Sequence, residues 1–89
     1  MDDQVNNNAR RSRYELHAEG GIAIAEYQLT DDIVTFTHTI VPEALRGRGL
    51  ASRLVGRALA DVRQRGLKIR AQCPFVADYV DRHPEMQDL

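Results

Sequence analysis

A glycine-rich loop between a β-type pattern and an amphipathic helical pattern is the part of this sequence best suited to bind an anion. The loop reads Arg46-Gly47-Arg48-Gly49-Leu50-Ala51. Its glycines allow a tight turn and close approach of the backbone to a ligand, and the first N–H groups of the following helix lack partners within that helix. The helix dipole and the two arginines add positive charge. The loop therefore predicts a site for a pyrophosphate group.

A single cysteine lies at the start of the last predicted helix. Cys73 precedes Pro74, and proline is well tolerated at the first helical position, so the thiol would take the N-cap position. Unpaired N–H groups and the helix dipole favour a thiolate there, which makes the sulfur more nucleophilic at neutral pH. Free cysteines are also commonly buried as small apolar residues. Catalysis and core packing are both open for Cys73.

The histidines offer a base but no metal site. The unperturbed pKa of a histidine side chain lies near neutrality, which makes His38 the natural base. If its strand neighbours the strand that ends at Cys73, the imidazole could reach the thiol or an acceptor amine. Its neighbours on the same strand face are apolar, so a core histidine is the alternative. His17 and His83 have no partners at metal-ligand spacing, and we expect no metal.

Further motifs follow one another along the chain at compatible spacing. They are Phe36-Thr37-His38-Thr39, Val41-Pro42, the glycine loop, Gly66-Leu67-Lys68, Cys73-Pro74-Phe75-Val76, Tyr79 and Arg82-His83-Pro84-Glu85. Over roughly residues 14–89 this series resembles the GCN5-related N-acetyltransferase (GNAT) superfamily, and within it the small stand-alone acetyltransferase-like subgroup. The superfamily holds coenzyme A with an R/Q-x-x-G-x-G/A loop. The resemblance implies acetyl-coenzyme A as cosubstrate and an acceptor that is largely undefined within the group.

The resemblance also implies roles for individual residues. The pyrophosphate would meet the backbone N–H groups of the loop, at Arg46, Gly47, Arg48, Gly49, Leu50 and Ala51. The pantetheine arm would pair with the backbone at the end of the preceding strand, at Thr39, Ile40 and Val41. Tyr79 would reprotonate the coenzyme thiolate, with core packing of its ring as the alternative. The subgroup often has a carboxylate after His-Thr, but this chain has Ile40, so the role of base falls on His38 or on ordered water.

Two other phosphate-binding loops do not fit the sequence. The dinucleotide fingerprint requires Gly or Ala where Ser52 stands and an acidic residue about 20 residues further on, but positions 68–73 read KIRAQC. The Walker A loop requires Gly-Lys-Ser or Gly-Lys-Thr, which the sequence lacks. Neither pattern competes with the coenzyme A loop that the resemblance implies.

Charge and composition narrow the classes of partner. Eight of the twelve Lys and Arg residues lie between positions 46 and 70, against the single acid Asp61, which indicates either a polyanionic ligand or a solvated helix face. An isoelectric point near 6.3 and few aromatic residues argue against a nucleic-acid interface. One cysteine excludes an intramolecular disulfide, and neither a membrane span nor a signal-peptide core is found. We expect a cytoplasmic protein.

The hydrophobic pattern predicts a mixed α+β domain over residues 13–89, preceded by a flexible tail over residues 1–12. Strands over 13–18, 22–29 and 33–41 form an antiparallel meander, and an α-β-α unit follows, with helices from 50 and from 74 around a strand at 67–72. On the third strand, alternation places one set on one face, namely Val34, Phe36, His38 and Ile40. It places the other set on the opposite face, namely Ile33, Thr35, Thr37, Thr39 and Val41.

The connection between the first two strands departs from the superfamily pattern. Full-length members have helices there that help form the acceptor pocket, whereas this chain has only Glu19-Gly20-Gly21. Three functions are therefore open. They are an acyltransferase that acetylates an amine, a coenzyme A binding module without turnover, and an interaction domain that uses the fold as a scaffold. The sequence does not specify the acceptor or the oligomeric state.

Overall fold

The computed structural model describes residues 5–84 and shows a five-stranded sheet in the order β1-β2-β3-β4-β5. The strands are β1 (Val5–Asn8), β2 (Arg13–Ala18), β3 (Gly21–Thr30), β4 (Ile33–Ile40) and β5 (Lys68–Ala71), and the helices are α1 (Leu50–Gln64) and α2 (Pro74–Arg82). Strands β1 to β4 are antiparallel, and β5 is parallel to β4. The predicted α+β class, with a meander followed by α-β-α, is confirmed.

The N-terminal segment differs from the expected tail. Residues 1–4 lie outside the described part, but Val5–Asn8 form β1, which pairs with β2. The asparagines give no β periodicity, so the strand depends on its neighbours. The Tyr27 hydroxyl donates to Asn7 Oδ1 at 2.6 Å, and Asn8 Nδ2 donates to Glu15 Oε2 at 3.0 Å. Tertiary hydrogen bonds thus override a weak local preference.

The core lies between one face of the sheet and α1. Three aromatic rings of neighbouring strands, those of Tyr14, Tyr27 and Phe36, have centroids 5.4 to 6.2 Å apart. Six apolar residues of α1 belong to the same core, namely Leu50, Leu54, Val55, Ala58, Leu59 and Val62. Ala23 and Ala25 on β3 are fully buried, and their small side chains leave room for the helix. Neither helix within residues 5–84 is long and apolar enough to cross a membrane.

The predicted assignment of side chains to the two faces of β4 is wrong beyond Phe36, because this strand contains a β-bulge. Glu26 pairs with His38 while Tyr27 pairs with Phe36, so Thr37 is an extra residue on β4. Strict alternation fails across an inserted residue, because the faces exchange there. His38 therefore lies beside Glu26 on the face away from the core, and Thr39, which pairs with buried Ala25, lies on the core face.

Strand β5 accompanies β4 for only part of its length. The parallel register runs from Ile33↔Lys68 to Phe36↔Ala71. The N–H groups of Gln72 and Cys73 then both donate to the carbonyl oxygen of Phe36, at 3.0 and 2.9 Å, and the chain turns into α2. Beyond Phe36, β4 continues to Ile40 with no strand on that side among the described residues. We call residues 37–41 on this side the open edge.

Candidate coenzyme-binding site

The glycine loop has the backbone that its sequence predicts. Gly47 and Gly49 have φ values of 83° and 72°, and Gly49 is the N-cap of α1. A Cβ atom at either position would meet nothing within 4 Å. The glycines are thus required by backbone conformation, and the space around them is open to a ligand. Because Gly49 has no side chain, the N-cap position provides no acceptor for the N–H groups of the first turn.

Arg46 connects the loop to the end of the preceding strand. Its Nε donates a hydrogen bond to the carbonyl oxygen of Val41 at 3.1 Å. The 3₁₀ turn Glu43–Leu45 lies between them and is anchored by Leu45, whose side chain is fully buried. The guanidinium has further N–H donors in a fixed fork. The guanidinium can therefore donate hydrogen bonds both at the loop and at the open edge.

A pocket of about 200 Å³ joins the loop to the start of α2. Its lining comprises Val41, Leu45, Arg46, Gly47, Gly49, Leu50, Ala51, Ser52 and Phe75. Six of the nine residues predicted to bind the coenzyme are in this set. The other three, Thr39, Ile40 and Arg48, do not line the pocket. Leu45, Ser52 and Phe75 were not among the predicted residues, and the Cys-Pro-Phe-Val motif was the available signal for Phe75.

Cys73 occupies the predicted N-cap of α2 and is also part of the core, with 5 % of its surface exposed. Its Sγ lies 3.3 Å from Thr39 Oγ1. Burial raises the pKa of the thiol, but the Thr39 hydroxyl and the backbone N–H groups of Val76, Phe75 and Thr39 together bring this pKa below its usual value. The sulfur is thus both packed and biased toward the thiolate. Sequence reasoning missed Thr39 as its partner because the bulge is not visible in the pattern.

His38 is not brought to Cys73. Its side chain is 69 % exposed on the far face of the sheet, where Nδ1 lies 3.5 Å from Glu26 Oε1. The predicted route of a proton from the thiol to this imidazole is therefore wrong, because the bulge at Thr37 turns the two side chains to opposite faces. The alternative of a core histidine is also wrong, since the ring is exposed.

Tyr79 packs across the space between the helices. Its ring is stacked on His83 with centroids 3.9 Å apart, and His83 Nδ1 lies 2.8 Å from the Tyr79 carbonyl oxygen. Its hydroxyl oxygen would be only 2.5 Å from a Cβ atom on Gly56 of α1. Tyr79 is six residues beyond Cys73, or about 9 Å along a helix. An isolated glycine inside a helical pattern was the signal for this contact, and it was missed.

The remaining expectations concern the tail and metals. Glu85, the last residue of the Arg-His-Pro-Glu motif, lies outside the described residues. Within residues 5–84 no group of three or more His, Cys, Asp or Glu side chains is arranged to hold a metal ion.

The comparisons with known proteins agree with one another. Residues 13–89 match the family model of the GCN5-related N-acetyl-transferases. Protein NATD1 from Gallus gallus and from Homo sapiens is 33 % identical over 97 % of this chain, covering 81 % and 79 % of those proteins. A GCN5-like protein from Staphylococcus aureus solved by NMR superposes with a TM-score of 0.72 at 22 % identity, covering 99 % of this chain and 88 % of that one, which shows a shared fold. The chain belongs to the GCN5-related N-acetyl-transferase family.

Proposed function

We propose that the protein binds acetyl-coenzyme A and transfers its acetyl group to an amine. The observation that carries this proposal is the pocket that joins the glycine loop, the end of β4 and the start of α2. The residues present suit the cosubstrate, because a cradle of exposed backbone N–H groups and an unpaired strand edge are what a pyrophosphate and an amide-containing arm require.

In this proposal each part of the coenzyme has its own partners. The pyrophosphate lies against the N–H groups of residues 47–51, because the N–H group of Arg46 already donates to the carbonyl oxygen of Glu43 at 3.2 Å. The Arg46 side chain is a charge-assisted donor worth about 1 kcal/mol because it is exposed. The pantetheine arm lies along the open edge and makes strand-like hydrogen bonds with residues 39–41. That edge contains Thr39, which contacts Cys73. The thioester end of the cosubstrate is thereby directed toward the sulfur.

Cys73 is the proposed nucleophile. Its sulfur attacks the acetyl carbonyl, a new thioester forms on Sγ, and the bond to the coenzyme sulfur breaks. The proton given up by Cys73 ends on the departing coenzyme thiolate, with Tyr79 as the proposed acid that relays it. An amine then attacks the acetyl-cysteine, loses a proton and restores the thiol. The acetyl thioesters of the coenzyme and of Cys73 have nearly equal free energies, so the first step is reversible.

His38 keeps a proposed role as a base for the acceptor amine and loses any role toward Cys73. It lies next to Thr39 in the chain but on the far face, beside the carboxylate of Glu26. A carboxylate at that distance can orient an imidazole. This role requires the acceptor to approach from the far face of the sheet.

A mass measurement tests the covalent route. Incubation with acetyl-coenzyme A and no acceptor should add one acetyl group, removable with hydroxylamine and absent in Cys73→Ser. If Cys73→Ser acetylates an amine at the native rate, the amine attacks the cosubstrate directly and the covalent route is wrong.

A second candidate is a coenzyme A binding module without turnover. It is favoured by the tight turn between β2 and β3, where Ala18 pairs with Gly21 and no helix intervenes. Stabilisation by coenzyme A, with neither acetyl-cysteine nor acetylated amine over an amine panel, would select this candidate.

A further inference from the structure

We propose that the outer edge of β1 binds an acidic peptide in an extended conformation, so that the peptide adds a strand to the sheet. We call the side of residues 5–8 that faces away from β2 the β1 edge. Two strands, β2 and β3, separate it from β4 and the open edge. The inference therefore concerns a surface other than the proposed coenzyme site.

The β1 edge is unpaired and has no charge, proline or bulge to protect it. β1 pairs with β2, and no strand lies on its other side among residues 5–84. In an antiparallel pair every second residue points its N–H and C=O groups away from the partner strand. Charges, prolines and bulges commonly make such edges unreceptive. The other terminal strand, β5, contains Lys68 and Arg70, whereas β1 reads VNNN in a regular register, so β1 is better suited to accept another strand.

A pocket of about 370 Å³ lies beside the β1 edge, between β1 and the second half of α1. Asn6 and Asn7 line it from β1, and Arg57, Ala60 and Gln64 line it from α1. A strand added at the β1 edge would point every second side chain toward the α1 side of the sheet. Those side chains would enter this pocket. The surface thus offers a bound peptide both backbone hydrogen bonds and room for its side chains.

Exposed arginines flank the β1 edge. Arg57 is exposed at the pocket and forms no hydrogen bond or ion pair with the residues from 5 to 84. Arg10 and Arg11 are exposed in the 3₁₀ turn Ala9–Arg11, which directly follows β1. Cations therefore lie both beside this short strand and at its end, which favours carboxylates in the partner.

The acid in the pocket and the acid that pairs with β1 are already engaged by donors of the protein. Asp61 lines the pocket, and its Oδ2 accepts hydrogen bonds from the Tyr14 hydroxyl at 2.6 Å and from Arg65 Nε at 3.0 Å. Glu15 pairs with β1, and its Oε2 accepts a hydrogen bond from Arg13 Nε at 2.7 Å. A cation on the partner would have to displace these donors. An acidic peptide is therefore favoured over a basic one.

Fluorescence anisotropy with a labelled peptide of the sequence TETETET tests this inference. Its glutamates all lie on one side of an extended chain, so they can face α1 together. We expect saturable binding by the native protein, and we expect the neutral peptide TQTQTQT to bind about tenfold more weakly.

Methylation of a backbone nitrogen in the peptide tests strand pairing, because only alternate N–H groups of an added strand face the β1 edge. Two versions of TETETET carry one methyl group each, at adjacent central residues. One version should bind about tenfold more weakly than the parent peptide, since it loses a hydrogen bond to the edge. The other should bind within about twofold of the parent.

Variants of α1 test the position of the peptide. Arg57→Gln should weaken binding of TETETET by about threefold. Arg70→Gln removes an exposed arginine from β5 and is the matched control, with native affinity expected. Ala60→Glu places a carboxylate in the pocket from an exposed position of α1 and should weaken binding by about tenfold. Ala60→Gln, which adds the same shape without charge, should weaken it less.

Several outcomes would overturn the inference. Equal losses in Arg57→Gln and Arg70→Gln would indicate diffuse attraction by the basic surface. Equal effects of the two methylations would show that no strand pairing occurs. If TETETET does not bind and the protein sediments as a dimer, the β1 edge belongs to a second copy of the chain; if it does not bind and the protein is monomeric, the edge is closed to peptides. None of these outcomes bears on binding of coenzyme A.

Discussion

Thr39 Oγ1 lies 3.3 Å from Cys73 Sγ, and this contact links the end of β4 to the N-cap of α2. The contact exists because the bulge at Thr37 turns Thr39 toward the core. It gives the thiol a polar partner in otherwise apolar surroundings. The strand that we propose to bind the pantetheine arm therefore also adjusts the group that we propose to react with it.

Removing this hydroxyl should make the thiol less acidic. Thr39→Val keeps the shape of the side chain but loses the interaction that lowers the Cys73 pKa, so we expect that pKa to rise. Alkylation by iodoacetamide, followed as a function of pH, should be slower at pH 7 and unchanged at high pH, where the thiol is fully ionised. Thr37→Val is the control. An unchanged profile in Thr39→Val would show that the N-cap alone determines the thiol's acidity.

Replacing His38 should leave the pH dependence of Cys73 alkylation unaltered. The imidazole lies on the opposite face of the sheet, so His38→Ala removes no partner of the sulfur. We expect alkylation of Cys73 to match the native protein at every pH. A shifted profile would mean that the two side chains communicate in solution. Acetylation of an added amine should nevertheless slow in His38→Ala if the ring acts on the acceptor.

The glycine loop allows a test that isolates charge from backbone conformation. Asn and Asp both tolerate the left-handed conformation found at Gly49, whose φ is 72°. Gly49→Asn should retain stabilisation by coenzyme A, whereas Gly49→Asp places a carboxylate beside the pyrophosphate and should weaken binding by about tenfold or more. The measurement is the rise in melting temperature with ligand concentration. The same response in both variants would place the pyrophosphate elsewhere.

Local patterns predicted most of this fold, and the failures have identifiable causes. The amphipathic pattern of α1 and the N-cap at Cys73 depend on neighbours within one or two helical turns, and both are found. The strand β1 depends on tertiary hydrogen bonds to Tyr27 and Glu15, which no local pattern of asparagines encodes. The position of His38 depends on one inserted residue. A single bulge reverses every later side chain of the strand, so catalytic partners were harder to predict than elements.

Glu15 should make the protein sensitive to acid. Hydrogen bonds from Arg13, Asn8 and His17 lower its pKa from 4.5 to about 2 against the opposing effect of burial. A carboxylate with a lowered folded-state pKa stabilises the fold above pH 4.5, and this contribution is lost as the pH falls toward 2. After allowance for solvent screening, we expect the ionised Glu15 carboxylate to contribute about 1–2 kcal/mol to the free energy of unfolding.

Urea denaturation of the native protein and Glu15→Gln at several pH values measures this contribution. The native protein should be more stable near neutrality, and the difference should shrink as the pH approaches 2. Glu19→Gln, in the exposed turn before β3, is the control. A constant difference between native and Glu15→Gln would assign the effect to packing.

Gly56→Ala should change the stability of the protein through two opposing effects, a gain in helix propensity and a clash with Tyr79. In an exposed helix Gly→Ala stabilises by about 1 kcal/mol through helix propensity. Here the new Cβ would lie 2.5 Å from the Tyr79 hydroxyl oxygen, on a ring that is stacked against His83, so the ring must move. We expect the clash to prevail and Gly56→Ala to destabilise the protein by about 1–2 kcal/mol.

A double-mutant cycle identifies the hydroxyl as the cause. In Tyr79→Phe the next atom that a Cβ on Gly56 would meet is the ring carbon Cζ at 3.3 Å, which a small shift accommodates. Adding Gly56→Ala to Tyr79→Phe should therefore be neutral or stabilising, with a coupling of about 1–2 kcal/mol measured by urea denaturation. Additive effects would mean that α2 moves away from α1 as a unit.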